Sequence, residues 1–361
     1  MSAAGSLAAG HPPARVLIVR LSSIGDIIHA MPAFMALREA LPDAEIGWAV
    51  ESAAASLVRR IPDLTRVHEL DVQTWRGTLL RPTTWIAGRR AIAGIRDCHY
   101  DLAIDMQGLW KSAVLARLSG AQVLGMATTE LRERGVRHLY QTQASPTPPG
   151  VHVIDRGLHL VATACPAVAA TTRWPMLTTA ADTEAIRGHV AGYAQAPILV
   201  HSAANWASKV YPEDRWAEVG QQLQALTGRP VVWLWGPGEG ARATRIAAAA
   251  GAGNAACFRT ELPHLAALMR HAAVVVGGDS APLHLAVACG APVVALFGPT
   301  DPARLGPTDP ADRVVVRQLE CSHCHRRVCP LGTNECLDSI GADEIVRAVI
   351  ARLENCAGAE G

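Results

Sequence analysis

The stretch RLSSIGDIIHAMPAF, residues 20 to 34, joins a short apolar run to a helical pattern through a turn of small and polar residues. The apolar run at residues 16–19 is typical of a buried strand, and helical periodicity resumes at Ile27. Gly25 permits a sharp bend, and the serines before it can cap a helix. This pattern predicts the first strand and helix of a parallel α/β sheet. Asp26 then stands at the carboxyl end of the strand, where such folds bind ligands.

The same alternation of apolar runs and helical patterns continues along the chain and predicts two successive doubly wound units. In the first half, strands are predicted near residues 15–19, 45–50, 66–70, 101–105 and 122–125, and helices near 27–40, 84–97, 108–118 and 151–163. In the second half, strands are predicted near 198–201, 230–235, 255–258, 273–276 and 292–297, and helices near 213–226, 239–250, 263–271, 282–289 and 342–353. Residues 141–150 predict a loop, and the domain boundary is expected between Cys165 and Ala181.

The composition is that of a globular protein with two domains. Half of the 361 residues are hydrophobic and 18% are charged, which suits two cores of ordinary size. A formal net charge of +1 gives no whole-molecule attraction to nucleic acid, so no nucleic-acid partner is expected. Local basic surfaces in the first half can still form from the arginines at 59 and 60, at 89 and 90, and at 132, 134 and 137.

Two features predict a cytoplasmic protein. Residues 1–13 lack the basic start and apolar run of a secretory signal, and no apolar run reaches the roughly 20 residues of a membrane span. A chain of this length needs no disulfide scaffold. Four scattered cysteines are therefore expected to be reduced core thiols: Cys98, Cys165, Cys257 and Cys289.

A second stretch with chemical character is HSAANWASKVYPEDRW, residues 201 to 216. A predicted strand ends near His201, a loop of small polar residues follows, and Pro212 opens a helix. Small side chains let a phosphate approach the backbone closely, and Lys209 offers it a mobile positive charge. An ordinary solvated lysine is the alternative for this residue taken alone.

The third stretch, VVVGGDSAPLHLAVACGAPVVALFGPTDP at residues 274 to 302, contains the sharpest signal. A strand leads into a Gly-Gly-Asp-Ser turn, and Pro282 opens a helix whose first N–H groups can hold a phosphate. Neither this turn nor the first matches G-x-G-x-x-G or G-x-x-x-x-G-K-[ST], which argues against dehydrogenases and P-loop enzymes. The chain has no Asp-x-Asp pair to hold a divalent metal at a diphosphate. The phosphate charge should therefore be balanced by Lys209 and N–H groups.

Four close cysteines occur in CSHCHRRVCPLGTNEC, residues 321 to 336, with spacing C-x₂-C-x₄-C-x₆-C. In a cytosolic chain they favour a structural zinc site, with an iron–sulfur cluster as a rarer possibility. A standard zinc finger separates two close pairs by a dozen or more residues, so reduced thiols without metal stay open as the alternative. The candidate ligands are Cys321, Cys324, Cys329 and Cys336, with His323 and His325 beside them.

Several motifs occur together in one order: S-S-x-G-D at 22–26, DMQGLWKS at 105–112, the Lys209 segment, G-D-S at 278–280 with His284, and GPTD at 298–301. In this combination the chain closely resembles the ADP-heptose:lipopolysaccharide heptosyltransferases, glycosyltransferase family 9. The resemblance extends over nearly the whole chain, from about Ala14 to Leu353.

The resemblance implies an α/β fold of the GT-B architecture, in which two Rossmann-like doubly wound domains face a central cleft. Residues 14–175 would be the N-terminal, acceptor-binding domain. Residues 176–355 would be the C-terminal, nucleotide-sugar-binding domain, including the Cys-rich loop 321–336. Catalysis in this family requires no metal, so the only cofactor to consider is the structural zinc.

The resemblance also implies roles for individual residues. Asp26 would be the general base, weak because it lies at a helix N-terminus, and Lys209 would bind the leaving diphosphate. The donor contacts would be Ser202, Asn205, Lys209, Glu239, Asp279, Ser280 and His284. The acceptor contacts would be Ser23, Gly25, Arg60, Gln107 and Lys111; for Lys111 and the arginines at 59 and 60, solvated surface cations are the alternative.

The function implied is inverting transfer of heptose from ADP-heptose to the inner core of lipopolysaccharide, onto Kdo or the first heptose. Such an enzyme would lie at the cytoplasmic face of the inner membrane, in peripheral contact with it. Two alternatives stay open: a family-9 enzyme that uses another sugar or acceptor, and a nucleotide-sugar-binding module without catalysis. The presence of both Asp26 and Lys209 argues against the second.

Overall fold

The computed structural model of the protein describes residues 12–78, 81–169 and 172–357. The chain divides between Met176 and Leu177 into two compact units. Each unit is built around a six-stranded sheet in which all paired strands are parallel. The α/β class with two doubly wound sheets, predicted from the alternation of apolar runs and helical patterns, is therefore confirmed.

The first unit has the strand order β3-β2-β1-β4-β5-β6. Its strands are β1 (Arg15–Val19), β2 (Glu45–Glu51), β3 (Arg66–Leu70), β4 (Leu102–Asp105), β5 (Gln122–Gly125) and β6 (Thr142–Gln143). Its helices are α1 (Ile24–Ala40), α2 (Ser52–Val58), α3 (Val72–Gly77), α4 (Pro82–Arg96), α5 (Trp110–Leu118) and α6 (Val153–Ala164). Two 3₁₀ turns, Thr128–Glu130 and Arg134–Leu139, follow β5.

The second unit has the order β12-β11-β10-β7-β8-β9, which is the same winding. Its strands are β7 (Ile198–His201), β8 (Val231–Leu234), β9 (Asn254–Ala256), β10 (Val274–Gly278), β11 (Val293–Phe297) and β12 (Arg313–Val316). Its helices are α7 (Ala180–Val190), α8 (Glu213–Thr227), α9 (Gly240–Ala250), α10 (Leu262–Met269), α11 (Ala281–Ala288), α12 (Pro302–Leu305), α13 (Glu335–Asp338) and α14 (Ala342–Ala357). A 3₁₀ turn, Ala207–Lys209, follows β7.

The structure corrects the prediction of an uninterrupted loop at residues 141–150. Thr142 and Gln143 form β6, which pairs with Leu124 and Gly125 at the edge of the first sheet. Two residues are too few to produce an alternating apolar pattern, so the strand has no sequence signal. Six further elements were not predicted because they are short or lack clear apolar periodicity: α2, α3, α7, α12, α13 and β12.

Each sheet has one point at which the winding reverses direction. In the first unit β1 lies between β2 and β4, and in the second unit β7 lies between β8 and β10. The loops that leave the carboxyl ends of β1 and β4, or of β7 and β10, diverge to opposite faces of the sheet. A crevice opens between such loops, and open α/β sheets bind their ligands there.

The central strands are buried on both faces, as parallel strands covered by helices must be, whereas the edge strands β3, β6, β9 and β12 are partly exposed. In the second unit the core contains Trp216 and Trp233, whose rings meet edge to face at 6.1 Å. The indole N–H of Trp233 donates to Asn254 Oδ1 at 3.1 Å, which satisfies its buried donor. No helix among residues 12–78, 81–169 and 172–357 is long and apolar enough to cross a membrane.

A glycine in β2 offers a test of the first core. A methyl group on Gly47 would lie 1.9 Å from the Tyr100 hydroxyl oxygen, and that hydroxyl is already hydrogen-bonded to His68. We expect Gly47→Ala to reduce the free energy of unfolding by about 1–3 kcal/mol, because the added methyl group overpacks the core.

Gly88 in α4 has no atom within 4 Å of the position that an added methyl group would take. Gly88→Ala should therefore raise the free energy of unfolding by about 0.5–1 kcal/mol, since alanine is the better helix former. Urea unfolding followed by tryptophan fluorescence measures both, and equal signs would contradict this account of the core.

Candidate active site

Asp26 lies in the first turn of α1, directly after β1. Its Oδ2 accepts hydrogen bonds from the Ser23 N–H at 3.1 Å and the Ser23 hydroxyl at 2.8 Å. Its Oδ1 is 2.7 Å from Arg20 Nη2, and the carboxylate side chain remains 42% exposed. The arrangement orients the carboxylate at the carboxyl end of the strand and leaves part of it accessible to solvent.

The turn before Asp26 is held by two side chains from the segment that follows β4, Gln107 and Lys111. Lys111 Nζ donates to Ser22 Oγ at 2.6 Å and to Glu51 Oε1 at 2.7 Å. Gln107 Nε2 donates to Ser22 Oγ at 3.3 Å, and Gln107 Oε1 accepts from the Leu21 N–H at 2.9 Å. Lys111 is therefore no solvated surface cation, since it is paired with the buried Glu51. Its predicted acceptor contact, like that of Gln107, stays a prediction.

Asp105, at the end of β4, shapes the second loop of this crevice. Its carboxyl accepts hydrogen bonds from the N–H groups of Gln107 and Gly108 and from the hydroxyls of Ser112 and Tyr140, at 2.7–3.2 Å. Burial raises the pKa of Asp105 above its ordinary value, although these four donors oppose that effect. All its acceptor capacity is used inside the protein, so Asp105 fixes the loop that carries Gln107 and Lys111. We name the residues around this crevice the Asp26 cluster: Arg20, Ser22, Ser23, Asp26, Glu51, Gln107 and Lys111.

The remaining predicted acceptor residues are Gly25 and Arg60. Gly25 is buried in the first turn of α1, and Arg60 follows α2, the helix that starts where β2 ends. The neighbouring Arg59 pairs with Glu69, so it is a structural surface cation.

Asp279 is the centre of a polar cluster in the second unit, at the end of β10. Lys209 Nζ lies 2.6 Å from Asp279 Oδ2, Thr300 Oγ1 donates to the same oxygen at 2.7 Å, and His284 Nε2 lies 2.9 Å from Oδ1. Burial alone would raise the pKa of Asp279, but the hydrogen bonds and charges of His284 and Lys209 outweigh burial and lower it. The carboxylate therefore stays ionised and orients Lys209.

Glu239 and Ser280 meet at His201, the last residue of β7. His201 Nε2 is 3.3 Å from Glu239 Oε2, and His201 Nδ1 is 3.2 Å from Ser280 Oγ. The contact with His201, joined by the Gly236 N–H at 2.7 Å, lowers the pKa of Glu239 against the opposing effect of burial. We name the full set the Asp279 cluster: His201, Lys209, Glu239, Asp279, Ser280, His284 and Thr300.

Two predicted donor residues, Ser202 and Asn205, lie in the loop between β7 and the 3₁₀ turn at Ala207–Lys209. Ser202 is buried and Asn205 is exposed. Asp26 and Lys209 belong to different units, and their opposition across a cleft stays a prediction.

The sequence analysis missed several residues that support these clusters. Four of them were given no role: Arg20 and Glu51 directly follow predicted strands, His201 ends one, and Thr300 lies within the GPTD motif. One compositional signal was available: of 33 lysines and arginines only two are lysines, Lys111 and Lys209, and both lie in these clusters. A chain that otherwise uses arginine retains the compact ammonium group at these two positions only.

The Cys-rich loop packs against the segment that carries Lys209. Ser208 is buried, its hydroxyl donates to the Arg326 carbonyl at 2.6 Å, and its N–H donates to the Arg327 carbonyl at 3.2 Å. The His323 ring lies 3.1 Å from the Thr300 carbonyl through Nδ1. The loop therefore supports the backbone on both sides of the Asp279 cluster.

The four cysteines of the loop line one small pocket, together with Ser208 and Gly298. However, in the described part of the chain no group of three or more His, Cys, Asp or Glu side chains is arranged to hold a metal ion. Cys329 accepts backbone N–H groups of the loop, which lowers its pKa, whereas Cys336 is partly buried against Gly298 and its pKa is raised by burial. All four thiols line the same pocket, and the structural metal site at Cys321, Cys324, Cys329 and Cys336 stays a prediction.

Comparison with known proteins assigns the chain to a family. A model described as glycosyltransferase family 9 (heptosyltransferase) matches residues 89–334, more than half of the chain. The chain belongs to glycosyltransferase family 9. Lipopolysaccharide heptosyltransferase 1 of Pseudomonas aeruginosa is 32% identical to it over 323 residues, which cover 87% of both chains.

Solved structures of this family have the same fold. E. coli heptosyltransferase WaaC with ADP superposes with a TM-score of 0.76 at 25% identity, covering 94% of this chain and 99% of WaaC. WaaC with ADP-2-deoxy-2-fluoro heptose gives a TM-score of 0.73 over the same shares of the two chains. The predicted family and the GT-B fold class are confirmed.

The hydroxyl of Thr300 provides a test of the Asp279 cluster. Thr300→Val keeps the size of the side chain but removes one donor from a buried, ionised carboxylate. We expect the free energy of unfolding to fall by about 1–3 kcal/mol. Thr183 in α7 is exposed, so Thr183→Val should change this free energy by no more than about 0.5 kcal/mol. Chemical denaturation measures both variants, and an unchanged Thr300→Val would show that Asp279 does not depend on this bond.

Proposed function

We propose that this member of family 9 is an inverting heptosyltransferase that moves heptose from ADP-heptose to the inner core of lipopolysaccharide, onto Kdo or the first heptose. One observation carries the proposal: each unit has an organised polar cluster at the point where its sheet reverses winding, with Asp26 in one and Lys209 in the other. The relatives named above, a lipopolysaccharide heptosyltransferase and a heptosyltransferase with ADP-heptose analogue, support the choice of donor and acceptor.

On the acceptor side, Asp26 is the general base. It takes the proton of the acceptor hydroxyl while that oxygen attacks the anomeric carbon, and the configuration at this carbon is inverted. Arg20 and Ser23 hold the carboxylate by three contacts and leave part of it exposed, as a base must be to reach its substrate. Because the carboxylate is ionised and stabilised, it accepts the proton late, when the new bond has largely formed.

On the donor side, negative charge grows on the departing ADP. Lys209 and the N-terminal N–H groups of α11, which begins after Ser280 with Pro282 in its first turn, supply the opposing charge. Asp279 orients Lys209, and His284 and Thr300 compensate the buried carboxylate. In this proposal the protein's own groups stabilise the leaving group, and no metal ion takes part in transfer.

These roles assign one substrate to each domain. Residues 14–175 bind the acceptor through Ser23, Gly25, Arg60, Gln107 and Lys111. Residues 176–355 bind the nucleotide sugar through Ser202, Asn205, Glu239 and the Asp279 cluster. Transfer requires the acceptor hydroxyl to reach the anomeric carbon, so in this proposal both clusters act on one pair of substrates. Since the acceptor is anchored in lipid, we place the enzyme at the cytoplasmic face of the inner membrane, in peripheral contact with it.

Two substitutions test this assignment directly. Asp26→Ala should reduce turnover by about 10²- to 10⁴-fold, because the positioned base is lost. Lys209→Ala should reduce turnover by at least about 10²-fold, because the leaving group loses its positive charge. Asp97→Ala, an exposed carboxylate outside both clusters, is the control and should retain full turnover. Full activity of either cluster variant would refute the role given to that residue.

The assay uses radiolabelled ADP-heptose and lipopolysaccharide acceptors truncated at defined sugars. Transfer to the Kdo-terminated or the singly heptosylated acceptor supports the proposal and identifies the step. Binding of ADP-heptose without transfer to any acceptor would indicate a nucleotide-sugar-binding module. Neither binding nor transfer would indicate a family-9 enzyme with another sugar.

A further inference from the structure

Two helices of the first unit leave large apolar side chains exposed. On α5, Trp110, Val114 and Leu118 are 50%, 41% and 42% exposed, and their spacing of four residues lines them along one face. On α4, Trp85 and Ile86 are 61% and 57% exposed. Isolated exposed apolar residues are ordinary, but a stripe of this kind marks an interaction surface.

The exposed stripe is distinct from the face that α5 uses for folding. Leu115 and Ala116 of α5 and Ile95 of α4 belong to one buried cluster, together with the sheet residues Leu17 and Ala103. Both helices therefore cover the same face of the first sheet. The side chains at 85, 86, 110, 114 and 118 lie outside this buried cluster and are 41–61% exposed.

Arginines surround these apolar side chains. Helix α4 has exposed arginines at Arg89, Arg90 and Arg96, and residues 82–96 contain no acidic residue. A methyl group on Gly135 would meet the Trp110 ring at 2.8 Å, so the 3₁₀ turn Arg134–Leu139 lies against Trp110. That turn adds the exposed cations Arg134 and Arg137. The acidic residue beside it, Glu133, is engaged by the Trp110 N–H.

We propose that this α4–α5 face, defined by Trp85, Ile86, Arg89, Arg90, Trp110, Val114, Leu118, Arg134 and Arg137, binds the surface of an anionic phospholipid bilayer. Tryptophan and aliphatic side chains insert at the level of the lipid headgroups, and arginines are attracted by the negative surface potential. Charge complementarity selects a bilayer over an apolar protein partner. The inference rests on the proposed function for its purpose: a lipid-anchored acceptor is presented at such a surface.

The test is co-sedimentation of the full chain with vesicles of phosphatidylcholine alone or with phosphatidylglycerol added. The chain should bind the anionic vesicles, and less strongly as salt increases. Two double variants should each bind the anionic vesicles at least about tenfold more weakly than the unsubstituted chain. One combines Arg89→Glu with Arg90→Glu, and the other combines Val114→Glu with Leu118→Glu. Leu226→Glu, at a still more exposed apolar residue of the second unit, is the control and should bind as the unsubstituted chain does.

Absence of vesicle binding, or equal binding by all variants, would overturn the proposal. Loss of a dimer in the Val114→Glu and Leu118→Glu variant, without any vesicle binding, would assign the face to a second copy instead and likewise overturn it. Turnover on a water-soluble truncated acceptor is measured in parallel. If the chain binds vesicles but transfers no sugar, the proposed function fails while the membrane surface stands. If all variants transfer heptose to the soluble acceptor at the normal rate and all bind vesicles as the unsubstituted chain does, only the membrane-surface proposal fails.

A second inference comes from the Cys-rich loop, independently of the first unit. Lys209 Nζ lies 4.4 Å from the centre of the Trp206 ring, and the Arg327 guanidinium lies 5.7 Å from the same centre. The backbone of Arg327 is fixed there by the Ser208 N–H. The loop thus brings a second cation to the immediate surroundings of Lys209.

We infer that Arg327 is a donor-binding residue that contacts the diphosphate, in support of Lys209. The charge of Lys209 is partly balanced by Asp279 at 2.6 Å, so a diphosphate needs a further cation. Guanidinium groups bind phosphate oxygens in pairs, and Arg327 is exposed and has both Trp206 and Lys209 beside it. This inference rests on the proposed function, because it assumes that the donor is a nucleotide diphosphate.

Neighbouring arginines provide a matched pair for the test. Arg326 and Arg327 are both exposed and both anchor Ser208 through their carbonyl oxygens, which substitution does not remove. Arg327→Ala should weaken ADP binding, measured calorimetrically on the full chain, by about tenfold and raise KM for ADP-heptose with a smaller change in kcat. Arg326→Ala should remain within about twofold of the unsubstituted chain, and Arg327→Lys should recover part of the loss.

Equal effects of the two alanine variants would show that the loop backbone, not the Arg327 side chain, is responsible, and would overturn the inference. So would an Arg327→Ala chain that binds ADP normally. If the unsubstituted chain binds no ADP, it is the proposed function that fails.

Discussion

The ion pair between Lys209 and Asp279 is the interaction on which the second unit's polar centre depends. Both groups are largely removed from water, and two isolated charges in that position would cost several kcal/mol each. His284 and Thr300 complete the hydrogen bonding of the carboxylate. These bonds offset the free-energy cost of burying an ionised group. The same constraint explains the proposed chemistry. A lysine held by a buried carboxylate is charged and oriented before the substrate arrives, so little reorganisation is needed when charge develops on ADP.

In the first unit a different set of contacts orients a lysine and a carboxylate. Lys111, paired with the buried Glu51, reaches the Ser22 hydroxyl, and this hydroxyl belongs to the turn that presents Asp26. A flexible stem with a compact ammonium can donate to two oxygens that lie in different directions, whereas a planar guanidinium has fixed geometry. This difference accounts for the retention of lysine at 111 and 209 in a chain whose other cations are arginines. Asp26, by contrast, is held by Arg20 at a site where a fixed, permanent charge suffices.

In the Cys-rich loop, the spacing of the cysteines does not determine how their side chains are arranged. Four cysteines within sixteen residues predict a ligand set, and in the folded loop all four line one pocket. Ligand geometry depends on where each sulfur atom points, and sequence spacing carries no information on that direction. The position of this loop beside Ser208 also could not be predicted from local sequence patterns. The contact between Ser208 and Arg326 joins residues more than a hundred positions apart, and it gives the loop a supporting role beside the proposed donor site in addition to the predicted metal ligands.

The two doubly wound sheets could be predicted from the amino-acid sequence, because strands buried on both faces need continuous apolar runs such as residues 16–19. The positions of Asp26, Lys209 and Asp279 after strand ends could be predicted as well, since glycine, serine and proline mark those turns locally. Which side chains meet became known from the folded chain alone. Lys111 and Glu51 are 60 positions apart, and Lys209 and Asp279 are 70 positions apart. Such contacts are set by the order of strands in the sheet, and that order arises from the winding of the whole chain, which no local pattern encodes.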